Sequence, residues 1–572
     1  MLEKEIKKLS KRISKINPSV SISLKDDCAL LDGVSDRWEE IVQIGRMVAE
    51  TKKFYGVINE IKLKGFTEPE IKKPTISSDE YEGLKVDVLV IGGGIVGAAI
   101  LRELSKYKLN VALVEKEDDL ALHASSRNDG CIHVGVDLNS KTKKMKYLQR
   151  SVLIYEELAK DLNVDYDKMG QIIAFKSNMD RLFLPLLKLR IKKNKIQGTH
   201  YLNKRKLFEL EPNLNRVAKF GILFTTGASI CPYNMTIGLA ENAVTNGAKV
   251  FLSTVVLSIE VQNNKVISVL TNRGRIYPKV LINAAGTFSD VIADMAEDKF
   301  FTIHPRKGTN AILDKASKSK LMNKSTTIFE GINKAKKKHT KGGGVIPTVD
   351  GNILVGPTAV ETPYREDFTT DKQAIDAIFE KQKRNAPKLD QRDIITYFSG
   401  IRAATYEEDF IVQKGKWTKN IVHAAGIQSP GITAAPAIAE DIVKYTCELL
   451  GDVEINQKFN PKRQGIIKLK NLSYEERDAL IKKNPEYGQI VCRCEEISKG
   501  EIIDALHSPI PISSTDAIKR RVRAGMGRCQ GGFCQPLVAK IIADEYNIDI
   551  KEIKKKGDGR ILLGDNKGDI YE

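Results

Sequence analysis

The stretch that most constrains the fold is VDVLVIGGGIVGAAILREL, residues 86–104, in which glycines are spaced Gly92-x-Gly94-x-x-Gly97. Residues 86–91 are a nearly unbroken apolar run, suited to a parallel strand covered on both faces. Gly92 permits a tight turn, Gly94 lets the backbone approach a pyrophosphate, and Gly97 lets a helix pack closely against the strand. The helix that begins there aims its free N–H groups at the phosphates. A second apolar run, residues 111–114, ends in Glu115, placed to accept hydrogen bonds from a ribose 2′-OH. Strand, helix, second strand and terminal acid in one unit make this a dinucleotide site, open at this point to FAD or NAD.

Length leaves room for more: 572 residues suffice for three or four domains. In residues 1–64, SVSISL alternates at period two as a half-buried strand does, and DDCALLDGV follows as a second strand. Asp36 is the expected cap of a helix, with Glu39 three residues on, and VINEIKL makes a third strand. This βαβ-like pattern resembles the BON domain, which implies a small α+β module for phospholipid or partner docking. Residues 65–84 are polar and aperiodic, as a linker is. Alternating strand and helix patterns over 85–450 argue an α/β domain with inserted β segments. A connector (451–488), a compact cysteine-bearing domain (489–548) and a polar tail (549–572) complete the chain.

Hydrophobic content of 42% and charged content of 29% are ordinary for a globular protein. No run reaches the roughly 18 apolar residues of a membrane span, and the mixed-charge N-terminus lacks a secretory core. The expected location is the cytoplasm, with peripheral attachment at the inner face of the membrane left open. The net charge of +18 is spread along the chain, as on a solvated lysine-rich surface. The densest basic runs, 334–338 and 551–556, have no interleaved aromatics, which argues against a nucleic-acid groove.

After Glu115 the chain runs ALHASSRNDGCIHVG (121–135), a Ser- and Gly-rich loop that resembles the D-amino-acid oxidase-like superfamily of FAD enzymes, glycerol-3-phosphate dehydrogenases among them. The resemblance implies FAD, with Ser125, Ser126 and Arg127 along its phosphates and His133 near the flavin. It extends over 86–445: the segment around Val255 would meet the adenine, and Gly286 would lie at a second pyrophosphate-side turn. PRKGTNAIL (305–313) is similar to the entry into the substrate sheet, and YFSGIRAATYEEDFIV (397–412) to the segment presenting an arginine, here Arg402, to an anion. Gly426, Gly431 and Ile432 fall in the loop facing the flavin's pyrimidine end.

Four of eight cysteines cluster as Cys492-x-Cys494 and Cys529-x4-Cys534. Four thiolates in two pairs suit a [2Fe–2S] cluster or zinc, and the Cys-x-Cys pair is tight for a single ion. The run at 523–534 resembles the bacterioferritin-associated-ferredoxin-like [2Fe–2S] domain and the large subunit of anaerobic glycerol-3-phosphate dehydrogenases. Lys519, Arg520, Arg521, Arg523 and Arg528 are expected to offset the cluster's negative charge.

These resemblances imply a FAD-dependent dehydrogenase that oxidises a small anionic secondary alcohol and exports single electrons to a partner acceptor. The expected substrate is sn-glycerol 3-phosphate, with L-2-hydroxyglutarate as the alternative. An electron-transfer module without an organic substrate is the alternative of another class. His133 and His304 are candidate bases, and Arg402 the candidate anion holder. The family's Gly-Gly-Lys-x-x-Thr-Tyr-Arg run is absent: residues 425–433 read AGIQSPGIT.

Overall fold

Strand Leu84–Ile91 is the central element, with Val88, Leu89 and Val90 fully buried. The computed structural model describes residues 2–329 and 343–562; the lysine run at 334–338 and the last part of the tail lie outside them. Leu84–Ile91 pairs in parallel with Val111–Val114 on one side and Gly274–Asn283 on the other, inside an eight-stranded sheet. Helices Ile95–Leu104, Lys143–Asp161, Pro232–Thr245 and Gly431–Leu450 cover one face, packing Ile100, Tyr155, Ala240 and Ile438 into one core with Val88 and Val90. On the other face, Leu89 and Ile91 pack with Val256, Val269 and Ile292. This is the α/β dinucleotide fold expected from the glycine motif.

The β-rich insertion is a nine-stranded sheet. Its longest pairing joins Ile303–Leu313 antiparallel to Ile394–Thr405, setting His304 opposite Ala404 and Arg306 opposite Arg402. The sheet lies against the C-terminal ends of the dinucleotide strands, where α/β sheets bind ligands.

The N-terminal module differs in detail from its sequence pattern. Leu2–Ile13 is a helix whose Leu9 and Ile13 seal the module core; its early glutamates and late Lys11 and Arg12 complement the helix dipole. Asp36 does not cap the next helix, Trp38–Ala49, whose N-cap is Arg37 without a side-chain bond. Ser35 closes the turn ahead of the helix, accepting the Arg37 N–H at 3.2 Å and donating to Glu40 at 2.7 Å. The third strand is broken into Val57–Asn59 and Lys62–Leu63, both parallel to Cys28–Ser35. The module is not a detached unit: Tyr406 lies inside its core, and Cys28 and Ile58 share a second core with Phe301, Ile303 and Ala403.

The expected linker is mostly without regular structure but is tied down by hydrogen bonds such as Ser78 N–H to Asn272 O. The cysteine domain builds its own core from helices Lys499–Leu506, Thr515–Val522 and Gln535–Tyr546. Among the described residues, no helix is long and apolar enough to cross a membrane.

Gly97 is the contact that closes the dinucleotide turn. A Cβ there would stand 1.9 Å from the Gly92 carbonyl oxygen, and Gly92 itself has φ +108°. Gly97→Ala is therefore expected to cost about 2 kcal/mol or more, within the range for overpacking, and to yield protein with little FAD. Denaturant unfolding and flavin absorbance of the purified variant measure both, and wild-type values for either would contradict the packing argument.

Candidate active site

A cavity of about 580 Å³ runs from the dinucleotide turn to the underside of the substrate sheet. Its first wall is the turn itself, Gly92 and Gly94, with Glu115 at the end of the next strand. Glu115 is held in place by the N–H of Gly93 at 2.6 Å and of Glu117 at 3.0 Å. Ser125 Oγ accepts the Ile95 N–H at 2.9 Å, so it sits at the mouth of the helix dipole. Val255 and Gly286 line the same end, while Gly431 and Ile432 line the far end.

Arg127 also lines the cavity, but its guanidinium stacks 4.2 Å over Phe368 and donates to the carbonyls of Leu122 and Ser399. Only a glycine at position 400 leaves it room, since a Cβ there would be 2.5 Å from Arg127 Cβ. Arg127 thus braces the wall that encloses the cofactor end.

Four expected site residues lie off the cavity wall. Gly97 serves the strand–helix contact described above. Ser126 turns back to donate to His123 O at 3.3 Å. Gly426 has φ +65° and gives the turn before the last helix its shape; a Cβ would press on Thr405. His304 is fully buried, stacked on Tyr406, with Nδ1 3.0 Å from Glu361 and Nε2 3.1 Å from Thr405 O. With both ring nitrogens occupied and its ring away from the cavity, His304 is a structural histidine and not the base.

His133 and Arg402 do reach the cavity. The His133 backbone N–H donates to Thr433 Oγ1 at 3.1 Å, which pins the segment after strand Cys131–Ile132 to helix Gly431–Leu450. Arg402 donates Nη2 to Thr358 O at 3.1 Å, while its Nη1 is buried without a hydrogen-bond partner. Burial pushes the Arg402 guanidinium down to about 10, with Asp129 nearby opposing the shift. A buried guanidinium nitrogen without an acceptor is costly unless a ligand supplies one.

Beside Arg402 lies a network that the motif reading did not single out. Arg306 pairs with both Glu361 and Glu408 and donates Nη1 to Gln428 Oε1 at 3.1 Å. Gln428 Nε2 returns to Glu408 at 2.7 Å, and Lys144 Nζ stands 3.9 Å from Glu408. Burial opposes the charges, but His304 and Arg306 bring Glu361 down to about 2, and Arg306 does the same for Glu408. The signal for Arg306 was present in the sequence as the charged second residue of the PRKG run, but its partner strand was not.

In the cysteine domain, Cys492 Sγ is 3.8 Å from Cys494 Sγ, which is 3.8 Å from Cys529 Sγ. A hydrogen bond with Cys534 holds the Cys492 thiol down at about 5, against the effect of burial, and raises that of Cys534. Backbone N–H groups of Gly525 and Glu495 point at Cys492, and those of Gly531 and Phe533 at Cys529. A thiolate set with N–H donors aimed at its sulfurs fits an iron–sulfur cluster.

Four of the five neighbouring basic residues, Arg520, Arg521, Arg523 and Arg528, spend their charge on carboxylates. Arg520 and Arg521 clamp the fully buried Asp119 of the flavin domain at 2.9 and 3.0 Å. Arg523, at φ +69°, pairs with Glu495 and with Asp350, and Arg528 with Asp314. Lys519 is pushed down by burial. Asp119 lies four residues after Glu115, so the segment that lines one end of the cavity also carries the cysteine domain.

Residues 87–445 match the model of the FAD dependent oxidoreductase family, and 490–544 that of the BFD-like [2Fe-2S] binding domain. The chain is 37% identical to the glycerol 3-phosphate dehydrogenase of Caloramator mitchellensis over 486 residues, 85% of this chain and 99% of the relative. It is 33% identical to the glycerol 3-phosphate oxidase of Mycoplasma genitalium over 384 residues, 66% of this chain and 97% of that one. Among solved structures it resembles dithionite-reduced L-alpha-glycerophosphate oxidase from Mycoplasma pneumoniae with FAD bound. That match has 30% identity and a TM-score of 0.60, covering 66% of this chain and 98% of the other.

Asp119→Ala leaves two buried guanidiniums without their carboxylate. It is expected to destabilise the contact between the two domains by about 3–5 kcal/mol, the usual effect of breaking a buried pair. Proteolytic release of the cysteine domain, followed against denaturant, measures this; a variant as resistant as wild type would refute the clamp.

Proposed function

The chain belongs to the FAD-dependent oxidoreductase family and carries a BFD-like [2Fe–2S] domain, so its cofactors are FAD and a [2Fe–2S] cluster, and we propose that it oxidises sn-glycerol 3-phosphate to dihydroxyacetone phosphate. The observation that carries this reading is the buried, unpartnered Nη1 of Arg402 in the cavity wall of a chain 37% identical to a glycerol 3-phosphate dehydrogenase. The relatives favour this substrate over L-2-hydroxyglutarate. A built anion position argues against an electron-transfer module without an organic substrate.

When bound, FAD would supply a hydride acceptor and the [2Fe–2S] cluster a one-electron carrier. Gly92, Gly94, Glu115, Ser125, Val255, Gly286, Gly431 and Ile432 are the residues that would hold the FAD along the cavity. Arg402 holds the phosphate, its second nitrogen already fixed by Thr358 O, so the guanidinium is oriented before the ligand arrives. The missing Gly-Gly-Lys-x-x-Thr-Tyr-Arg run leaves the anion to be held by the substrate sheet rather than by the final loop, where Gln428 instead bridges Arg306 and Glu408. His133 takes the hydroxyl proton as the carbon loses its hydrogen, which balances the oxidation of a secondary alcohol to a ketone.

Electrons leave at the cysteine domain. Cys494 is exposed, and Arg493, Arg528 and Phe533, each next to a cluster cysteine, are exposed around it. Such a basic and apolar rim suits an acidic protein acceptor. A second surface fits peripheral attachment to an anionic membrane. Met179, Leu182, Leu186 and Leu189 are 72%, 75%, 64% and 63% exposed, beside exposed Lys188, Arg190, Lys192 and Lys193.

Anaerobic addition of sn-glycerol 3-phosphate is expected to bleach the flavin absorbance, and Arg402→Met to raise the concentration required by roughly 100-fold, the scale of a lost charge-assisted pair. Bleaching by L-2-hydroxyglutarate alone, or by neither compound, would overturn the substrate assignment. Separately, the protein is expected to float with vesicles containing phosphatidylglycerol but not with neutral ones, and Leu182→Glu with Leu186→Glu to abolish this; equal flotation of the variant would remove the membrane reading.

A further inference from the structure

The N-terminal module reaches the substrate site through one side chain, Arg46 of helix Trp38–Ala49. Its Nη2 pairs with Glu361 and lies 3.4 Å from Glu408, the two carboxylates that also hold Arg306. Glu408 and Arg306 line the cavity beside Arg402. The contact is rigidly made. Gly45 lets the helix sit on the Tyr406 ring, where a Cβ would approach to 2.4 Å. Asn59 Nδ2 donates to Tyr406 Oη at 2.6 Å, and the Val57 N–H to Glu407 at 3.0 Å.

Charge determines what this contact does. Glu361 and Glu408 are two negative charges, and Arg306 alone balances only one of them. Arg46 adds a second cation, so that Arg46, Lys144, Arg306 and Arg402 stand against Asp129, Glu361 and Glu408 with one positive charge in excess. Other charges face the same place: Lys144 stands 3.9 Å from Glu408, Asp129 acts on Arg402, and His304 is bonded to Glu361. Without Arg46 the same set carries one more net negative charge beside the position an anion must take. Arg306 would also be drawn harder onto its two carboxylates.

We propose that Arg46 is a positioning residue of the active site: the N-terminal module completes the charge balance that lets Arg402 bind an anionic substrate. This rests on the reading of the cavity as the site of a phosphorylated alcohol. It gives the module a part in substrate binding that the docking role expected from its sequence pattern does not include.

The test uses the full-length holoenzyme, with FAD and iron content checked for each variant. Arg46→Met is expected to raise KM for glycerol 3-phosphate by roughly tenfold or more with kcat changed less, the scale of one unit charge acting over several ångströms at an effective dielectric of about 20. Equilibrium binding of the substrate analogue phosphoglycolate, read from the perturbed flavin spectrum, is expected to weaken in parallel. Arg46→Lys should recover most of the loss. Glu361→Gln placed on the Arg46→Met background removes the excess negative charge and should also lower KM again, which a merely structural role for Arg46 would not produce. The proposal is overturned if Arg46→Met keeps KM within twofold of wild type. It is equally overturned if neither the lysine nor the compensating glutamine restores binding while cofactor content is normal. A wild-type enzyme that glycerol 3-phosphate fails to reduce would instead count against the substrate assignment.

Discussion

Two arginines face each other across the longest strand pair of the substrate sheet, Arg306 opposite Arg402. Like charges directly opposed on a sheet repel, and here they do so in a largely buried wall where screening is weak. The structure resolves the conflict unevenly. Arg306 receives two carboxylates and a glutamine, while Arg402 receives a single backbone carbonyl and keeps a bare nitrogen. That inequality makes one arginine a fully paired ion and leaves the other with a donor nitrogen unmet in the cavity wall. Glu361, Glu408, Gln428 and Arg46 are all gathered around Arg306 and its two carboxylates.

The same distribution of charge explains how the parts of the chain are joined. Asp119 in its Arg520 and Arg521 clamp, and Glu361 and Glu408 with Arg46, are ion pairs that span domains. Buried pairs of this kind add little net stability, but they are strongly orienting because a displaced partner leaves a charge in a poor solvent. For a reaction that ends with electrons crossing from flavin to cluster, a fixed orientation of the two domains matters more than the strength of their adhesion. The clamp acts on the very loop whose Glu115 lines the cofactor end of the cavity.

Much of the fold was legible in the residues. The dinucleotide unit could be read because each of its elements leaves a local trace: an apolar run, three spaced glycines, a terminal acid. The four cysteines could be read for the same reason, since their chemistry lies in their spacing. The expected places of His304, Ser126 and Gly426 on the cavity did not hold, because which way a side chain turns from a strand or loop depends on its neighbours. His304 is drawn inward by Glu361, Thr405 and Tyr406, which lie 57 to 102 residues further along the chain. The helix at Leu2–Ile13 was legible in the helical spacing of Leu2, Ile6, Leu9 and Ile13, whereas the Ser35–Glu40 closure depends on how the chain turns ahead of the next helix.

By itself, then, the sequence determined that the chain builds a dinucleotide site around Gly92, Gly94 and Gly97, and that it holds a second centre on Cys492, Cys494, Cys529 and Cys534. These are short-range facts, set by backbone geometry and by thiol spacing. Only the tertiary structure decided that Arg306 is paired with two carboxylates and Arg402 with none, that most of the basic run near the cysteines serves to dock a domain, and that the N-terminal module reaches Glu361 and Glu408 through Arg46. Each of these depends on charges brought together from distant parts of the chain, where the balance is struck by burial and by the number of partners within hydrogen-bond reach.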